Sequence, residues 1–192
     1  IAGTGIVGYT GNGGAATVAK LSYPNFLYID AANNIYITDN GNHSIRKVNT
    51  SGVISNIAGT GIAGFSGDGG PATAAKLTYP AGIDIDASGN VFITDHGNNR
   101  IRKINTSGTI STYAAIGTSG FSGDCGPATA AKINLPTDLE FDANGNLLIA
   151  DNQHHRIRII TNSILITGTL GICSGSTSPL AHSVSGGTWS SS

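Results

Sequence analysis

Alternating apolar and polar residues mark a series of short β-strands along this chain. The runs are GIDID at 82–86, VFITD at 91–95, RIRKI at 100–104 and TIST at 109–112. Each run is bounded by turn-forming sequences, namely ASGN, HGNN and NTSG. Gly89 supplies the left-handed backbone conformation that a short hairpin loop needs. We therefore predict a four-stranded antiparallel meander in this part of the chain.

The same pattern occurs three times. IAGTGIVGYTGNGGAATVAKL begins at residue 1, IAGTGIAGFSGDGGPATAAKL at residue 57 and YAAIGTSGFSGDCGPATAAKI at residue 113. The period is therefore 56 residues (57 − 1 and 113 − 57). One meander cannot bury both faces of its sheet, so the copies are expected to pack face to face. Four-stranded units at this spacing predict an all-β protein built from β-propeller blades.

The second copy carries the motif of a known repeat. Residues 79–104, YPAGIDIDASGNVFITDHGNNRIRKI, resemble the NHL repeat, whose core reads P-x-G-I-x-x-D-x-x-G-N-x-x-x-x-D-x-x-N-x-R-I. The resemblance implies three β-propeller blades at 1–56, 57–112 and 113–165, or about half of a ring of roughly six blades. The spacer GFSGDGGPATAAKL is similar to those of long NHL arrays in secreted bacterial proteins. The other copies depart from the motif at Phe26, Asn33, Ser44, Asp138 and 153–155.

Residues 166–192 no longer follow the repeat. One interpretation is a degenerate fourth copy whose strand closes or caps the array. The other interpretation starts from GICSGSTSPLAHSVSGGTWSSS, which is similar to the first two strands of bacterial Ig-like domains that follow repeats in large surface proteins. We favour this second interpretation, in which the chain ends inside an Ig-like domain and Trp189 lacks the core that it should fill.

Composition narrows the function classes. Charged residues make up 11% of the chain and the net charge is −1, without a run of Lys or Arg. Neither nucleic acid nor an anionic membrane is therefore an expected partner. No run of 18 apolar residues is present, so we expect no membrane insertion. The start at Ile1, without the basic and apolar segments of a signal peptide, indicates a processed protein or an excised segment.

The loop at 64–77, GFSGDGGPATAAKL, has the composition of a ligand cradle, but its details argue against one. A phosphate loop needs a Lys-Ser or Lys-Thr pair, whereas Lys76 is followed by leucine. A calcium loop needs several alternating carboxylates, whereas this loop has Asp68 alone. We expect Asp68 and its equivalent Asp124 to bind the loop backbone in Asx-type turns, before one helical turn formed by PATAAKL. The first position of that turn is assigned to the prolines Pro71 and Pro127.

The innermost strands supply candidate ligands for a central channel. Their register offers one row of Tyr28, Asp84 and Glu140 or another of Phe26, Gly82 and Asp138. The resemblance extends to NHL-like proteins that hold metal ligands at this place and act as lyases or lactonases. Such enzymes need several matching ligands, whereas both rows differ between the copies here. We therefore predict no catalytic residue, no metal and no cofactor, and we predict that the chain is not an enzyme.

Histidines form a second candidate metal set. They are His43, His96, His154, His155 and His182. Those in the hairpin turns lie at the edge of a blade, where we expect solvated side chains rather than metal ligands. No Ser, His and Asp recur in positions that suggest a catalytic triad.

Recurring acidic and basic residues form another candidate surface. An aspartate ends the second strand of each copy, and arginines two residues apart share one face of the third strand. These arginines are Arg46, Arg100, Arg102, Arg156 and Arg158. We expect ion pairs between adjacent blades, with a groove that binds carbohydrate or peptide as the functional alternative.

Two further features bear on the compartment. Cys125 replaces a loop glycine and Cys173 lies in the tail, so a disulfide between them is one prediction. Free thiols, or a partner cysteine beyond the sequence, are the alternatives. Three N-x-S/T sequons at Asn42, Asn49 and Asn105 fall in turns where a glycan would be accessible, although an Asn-rich repeat also produces such sequences by chance.

Together these features predict an extracellular, non-catalytic repeat module of a secreted or cell-surface protein. Its partner would be a protein or a carbohydrate, bound in adhesion or another interaction. Three blades leave unpaired apolar faces, so the first alternative is a structural protein whose copies polymerise into a ring or a fibre. The second alternative is a propeller enzyme with a metal in its channel.

Overall fold

Three antiparallel meanders follow one another in the computed structural model, which describes residues 1–161 and the backbone of the strand at 165–167. Blade 1 consists of β1 (Pro24–Ile29), β2 (Ile35–Asp39), β3 (Ser44–Val48) and β4 (Ile54–Ala58). Blade 2 consists of β5 (Pro80–Ile85), β6 (Val91–Asp95), β7 (Arg100–Ile104) and β8 (Ile110–Ala114). Blade 3 consists of β10 (Pro136–Phe141), β11 (Leu147–Asp151), β12 (Arg156–Ile160) and β13 (Leu165–Thr167), with β9 (Gly126–Pro127) paired to β13. Short 3-10 helices lie at Ala16–Val18, Asn40–Asn42, Ala72–Ala74, His96–Asn98, Ala128–Ala130 and Asn152–His154.

The predicted all-β class and the antiparallel blade pattern are confirmed. β6 and β7 coincide with the predicted strands at 91–95 and 100–104. β5 begins at Pro80 instead of residue 82, and its register with β6 shifts between Pro80 and Ile83, which marks a bulge. The division of the chain at residue 165 and the Ig-like start stay predictions, since Cys173, His182 and Trp189 lie outside the described residues.

Each Gly-rich spacer runs along the outer strand of the blade that follows it. Gly69 N–H donates to the carbonyl oxygen of Ile110 at 2.8 Å, and Ile110 N–H donates back to the spacer at 3.0 Å. The helical turn at Ala72–Ala74 forms as predicted, as a 3-10 turn. Pro71 is its N-cap, with ψ of 130°, and Pro127 does the same in the third copy, so the predicted first helical position is wrong for both prolines.

Gly67 shows why the spacer is rich in glycine. Its φ is +91°, in the left-handed region that other residues rarely adopt. A Cβ atom at this position would also lie 2.7 Å from the Cα of Ala75, which is buried in the core between blades 1 and 2. Gly67 therefore permits the close approach that closes the spacer on itself.

The core lies between the blades. Tyr36 and Ile45 of blade 1 pack with Ile83 and Ile93 of blade 2, and the wholly buried Leu77 of the spacer fills the same core. A second core joins blades 2 and 3 and includes Phe92, Ile101, Leu139 and Ile149. Each blade is therefore stabilised largely by its neighbours, as expected for a repeat architecture.

The innermost strands of blades 2 and 3 approach one another closely at Gly82. A Cβ atom on Gly82 would lie 2.6 Å from the Cα of Asp138 and 2.9 Å from the backbone nitrogen of Leu139. These are backbone atoms that no side-chain rotation can move. A side chain at residue 82 would therefore have to push the two blades apart.

We expect Gly82→Ala to lower the free energy of unfolding by about 1–3 kcal/mol, the usual cost of overpacking a well-packed contact. Gly14→Ala is the matched control, because its Cβ would meet only the carbonyl oxygen of Gly11 at 3.5 Å. Urea denaturation of both variants measures the difference. Equal losses for the two variants would show that the inter-blade contact does not matter.

Candidate interaction surfaces

Each blade buries one arginine of its third strand. The side chains of Arg46, Arg102 and Arg158 have no exposed surface. The guanidinium of Arg102 donates to the Asp95 carboxylate at 3.1 Å, and the other two arginines meet the equivalent aspartates of their own blades, Asp39 at 3.2 Å and Asp151 at 3.6 Å. The predicted ion pairs between adjacent blades are therefore wrong for these residues.

The register of the sheet explains this pairing. Asp95 lies directly opposite Arg100, and Arg102 lies diagonally across the same strand pair, within reach of a long side chain. Burial raises the pKa of Asp95 more than the hydrogen bonds from Asn98 and Thr78 and the charge of Arg102 lower it. Asn98, Thr78 and Arg102 thus hold the carboxylate together inside the sheet.

Arg102 also binds the spacer that precedes its blade. Its guanidinium donates to the Asp68 carboxylate at 2.6 Å, and the Thr112 hydroxyl donates to the other oxygen of Asp68 at 2.6 Å. Partial burial alone would raise the pKa of Asp68, but the hydrogen bond from Thr112 and the charge of Arg102 outweigh it and lower that pKa. The predicted Asx-turn role of Asp68 is wrong, because the carboxylate pairs with the blade.

Asp124 likewise forms an ion pair with the buried arginine of its blade, Arg158, instead of the predicted Asx-type turn. In the first copy Asn12 stands in place of the aspartate, and Arg46 instead donates to the carbonyl oxygen of Thr10 at 3.2 Å. The spacer of every copy is therefore bound to its blade through the buried arginine.

The remaining two arginines stack on phenylalanines of the spacers. The guanidinium carbon of Arg100 lies 3.7 Å from the ring centroid of Phe65, and that of Arg156 lies 4.1 Å from the ring centroid of Phe121. Arg100 also donates to the carbonyl oxygen of Ile116 at 2.6 Å. Three of the five arginines are buried and only Arg100 and Arg156 are accessible, so a carbohydrate or peptide groove stays a prediction for these two residues alone.

Neither predicted row of channel residues forms a common ligand set. Asp84 is buried and accepts hydrogen bonds from the N–H groups of Phe141 and Ile85, both at 2.7 Å, so it ties blade 2 to blade 3. Loss of water around its carboxyl raises the pKa of Asp138, although part of that side chain is exposed, and the charge of Asp84 adds to the rise. In the part of the chain that the structure describes, no three His, Cys, Asp or Glu side chains are placed to hold a metal ion.

The other members of the two rows have separate surroundings. Tyr28 is half-buried, and burial followed by the charge of Asp84 raises the pKa of its hydroxyl. Phe26 packs into the core between blades 1 and 2, whereas Glu140 is exposed. Gly82 serves the close approach of two strands, as described above.

His43, His96 and His154 make hydrogen bonds within the protein, whereas solvated side chains were predicted. The Nδ1 atom of His154 lies 2.9 Å from both carboxylate oxygens of Asp151. His43 is half-buried, which lowers the pKa of its imidazole. The expected solvated position holds for His155, which is exposed, while His182 lies outside the described residues.

Two polar side chains of blade 1 bind the backbone of blade 2. The side-chain amide of Asn40 donates to the carbonyl oxygen of Pro80 at 3.0 Å. The Nδ1 atom of His43 accepts a hydrogen bond from Tyr79 N–H at 3.1 Å, and the two rings pack edge to face. These inter-blade bonds were not predicted from the sequence.

The same two bonds join blade 2 to blade 3. His96 stands at the position of Asn40, and its Nδ1 lies 3.1 Å from the carbonyl oxygen of Pro136. Asn99 stands at the position of His43 and accepts a hydrogen bond from Leu135 N–H at 2.8 Å. The signal that could have revealed these bonds is the recurrence of Asn and His at both positions of each hairpin turn.

The outward face of blade 3 is open. Ile45 and Ile101 occupy the same position in blades 1 and 2, and both are 0% exposed because the next blade covers them. Their equivalent Ile157 is 61% exposed, beside a groove lined by Leu148 and Ala150.

The opposite face is open on blade 1. Leu27 is 67% exposed, whereas its equivalents Ile83 and Leu139 are 6% and 4% exposed because the preceding blade covers them. Ile29 on the same strand is 55% exposed. The two ends of the array thus present the two apolar faces that meet inside it.

The sequons differ in accessibility. A glycan would attach to the side-chain nitrogen of Asn42, but this atom donates to Gly8 and to Asp39, both at 2.8 Å. The prediction for Asn42 therefore conflicts with the structure. Asn49 and Asn105 are exposed, and their glycosylation stays a prediction. The Cys125–Cys173 disulfide also stays a prediction, because Cys173 lies outside the described residues.

Comparisons with known families agree with this architecture. The family model for the teneurin NHL domain matches residues 62–122, and that for the NHL repeat matches residues 21–48. Teneurin-1 of Homo sapiens is 29% identical over 182 residues, which is 78% of this chain and 6% of the relative. The chloroplastic protein SUPPRESSOR OF QUENCHING 1 of Arabidopsis thaliana is 37% identical over 95 residues, 48% of this chain and 9% of the relative. This chain thus spans less than a tenth of the length of these curated relatives.

Solved structures share the fold. A structural genomics protein of unknown function from Bacteroides thetaiotaomicron has a TM-score of 0.65 and 25% identity, over 76% of this chain and 37% of that chain. Virginiamycin B lyase from Staphylococcus aureus has a TM-score of 0.54 and 20% identity, over 78% of this chain and 43% of that chain.

The prediction that the chain is not an enzyme is wrong, because enzymes are found among the proteins that share its fold. The blades share their fold with virginiamycin B lyase and with a protein described as a gluconolactonase, which has a TM-score of 0.52 and 12% identity over 77% of this chain and 48% of that chain. Identities this low show the fold alone. Because the same fold is found in enzymes, the fold gives no ground for excluding catalysis.

In the described part of the chain, no helix is long and apolar enough to cross a membrane. The segments that match NHL models lie in blades 1 and 2 and the spacers beside blade 2, and the chain folds as antiparallel blades of the β-propeller type.

Proposed function

We propose that this chain is an extracellular repeat module that binds other proteins through the open faces of blades 1 and 3. The observation that carries the proposal is the contrast between equivalent residues. Ile45 and Ile101 are 0% exposed, whereas Ile157 is 61% exposed. Contiguous apolar surface of this kind marks protein interaction sites in soluble proteins.

The surroundings of the open faces also favour a protein partner. Asn152 and His155 are exposed in the hairpin turn of blade 3, and His155 directly precedes the strand that carries Ile157. An apolar centre with a polar rim is the usual anatomy of a protein interface. A carbohydrate partner is less well supported, because the arginines that would have lined its groove are buried or stacked.

An extracellular location is consistent with two observations. The relatives matched over most of the chain are teneurins, which are cell-surface proteins. Asn49 and Asn105 stand exposed in sequons, where a glycan would not disturb a blade.

The test is a binding assay in which the immobilised chain meets soluble copies of itself, a panel of purified extracellular domains, and a glycan array. We expect a protein to bind, and we expect Ile157→Asp or Leu27→Asp to abolish that binding. Ile62→Asp is the matched control, because Ile62 is also 61% exposed but lies on a spacer. Binding to glycans alone, or protein binding that neither face variant changes, would contradict the proposal.

A further inference from the structure

We propose that each open face binds a second copy of this chain, so that two copies of three blades join head to tail in one closed ring. The inference rests on the proposed function and names its partner. Blade 3 of one copy would meet blade 1 of the other, in the way that blade 1 meets blade 2 within the chain.

The apolar residues of the two open faces match those of the internal junctions. Inside the chain, Ile45 and Ile101 each face the apolar strands of the following blade, which include Ile83 and Leu139. At the ends, Ile157 is the equivalent of Ile45 and Ile101, and Leu27 is the equivalent of Ile83 and Leu139. Both Ile157 and Leu27 are largely exposed. A second copy therefore provides the complement that each face lacks.

The open faces carry the equivalents of the residues that form hydrogen bonds between blades inside the chain. Asn152 and His155 of blade 3 are the equivalents of Asn40 and His43, and both are exposed. In blade 1, Tyr23 and Pro24 are the equivalents of Tyr79 and Pro80, whose backbone N–H and carbonyl groups bind the preceding blade. Tyr23 is 76% exposed, so its backbone is accessible to another chain.

The backbone at the open faces already has the conformation of the bonded junctions. Tyr23 has a φ of 47°, and its equivalents Tyr79 and Leu135, which are bonded to the preceding blade, both have 48°. On the other face, His155 has a φ of 54°, and the bonded His43 has 50°. These left-handed conformations are rare for residues other than glycine, so both halves of the new junction are preorganised.

The symmetry of the array decides between a ring and another assembly. A junction between different faces is heterologous, and it closes only if the rotations of the blades add up to a full turn. Two copies supply six blades, twice the three of one chain, which falls within the roughly four to eight blades of typical β-propellers. Each copy then contributes both faces, and no apolar face stays exposed.

Sedimentation velocity over a wide range of concentrations tests the proposal with two variants. The wild-type chain should sediment as a dimer. Leu27→Asp alone and Ile157→Asp alone should each stay monomeric, because every junction needs one intact face of each kind. An equal mixture of the two variants should form pairs again, more weakly than the wild type, through the single intact junction.

Controls separate association from folding. Far-UV circular dichroism spectra below the melting transition should be unchanged in both variants, because each substitution lies on an exposed side chain, and Ile62→Asp should behave as the wild type. In the single-junction mixture, His155→Gly should weaken pairing about three- to tenfold, as expected for one lost hydrogen bond. His155→Asn should keep the pairing, because Asn99 makes the equivalent bond in blade 2.

Several results would overturn the inference. A monomeric wild type with intact fold would reject a second copy as the partner, while protein binding in the panel assay would leave the proposed function standing. Pairing of either variant by itself would show contact between like faces. A mixture that stays monomeric would reject the head-to-tail junction, and a continuing series of larger species would reject ring closure.

Discussion

Replacing Arg102 with alanine is expected to lower the free energy of unfolding by about 3–5 kcal/mol, the usual cost of removing one partner from a buried ion pair. The side chains of Arg102 and Asp95 are both wholly buried. Without the guanidinium, the Asp95 carboxylate loses its 3.1 Å bond to a positive charge and keeps only neutral donors, from Asn98 and Thr78, inside the blade. Asp68 also loses its partner, but its side chain is 39% exposed and can be hydrated. Urea denaturation followed by circular dichroism gives the measurement.

Two further variants show whether the unpaired charge causes the loss. Arg100→Ala removes the same side chain two residues away, where it stacks on Phe65, and we expect a loss of about 1 kcal/mol. Adding Asp95→Asn to Arg102→Ala should restore part of the stability, because no ionised carboxylate is then left in the sheet. Equal losses at the two arginines, or no gain from Asp95→Asn, would refute the explanation.

Phe92→Ala should cost a similar amount, about 3–5 kcal/mol. Phe92 is 2% exposed, and its ring meets those of Tyr113 and Phe141 edge to face, with both centroid distances at 4.9 Å. Because Phe141 belongs to blade 3, the truncation leaves a cavity in the junction between two blades. The same denaturation experiment measures the loss.

Phe121→Ala is the matched control for Phe92→Ala. Phe121 is 40% exposed and stacks under Arg156, so we expect its removal to cost about 1 kcal/mol. Phe92→Leu should recover part of the loss, because it fills part of the cavity. If Phe121→Ala were as harmful as Phe92→Ala, burial in the junction would not be the cause.

The buried arginines also explain the charge pattern of the repeat. Asp68 and Asp124 accompany Arg102 and Arg158, which bind them directly. The copy with Asn12 keeps its arginine and binds the backbone of the spacer instead. The arginine therefore joins three parts of each repeat unit, namely the second strand, the third strand and the spacer.

Features that depend on neighbouring residues could be predicted from the sequence. Alternation of apolar and polar residues located β6 and β7, because the side chains of a strand point to opposite faces in turn. Turn-forming residues separated the strands, and the 56-residue period indicated similar units that pack on one another. The helical turn of the spacer was also local, although the position of Pro71 within it was not.

Features that join distant residues could not be predicted in this way. Asp68 and Arg102 are 34 positions apart, and Asn40 and Pro80 are 40 positions apart. The sequence alone placed Asp68 in a local turn, because an aspartate beside glycines satisfies that pattern equally well. Only the position of the spacer against the blade gave it a buried cation as a partner.

For this protein, the sequence by itself determined the all-β class, the repeat unit and the strands within it, because these follow from local alternation and turn chemistry. The tertiary structure alone decided which charges are buried, which polar groups join the blades, and which equivalent residues are covered. Ile45, Ile101 and Ile157 stand at one position of the repeat, yet only Ile157 is exposed. The reason is physical, since burial depends on what lies across the face and not on the residue itself.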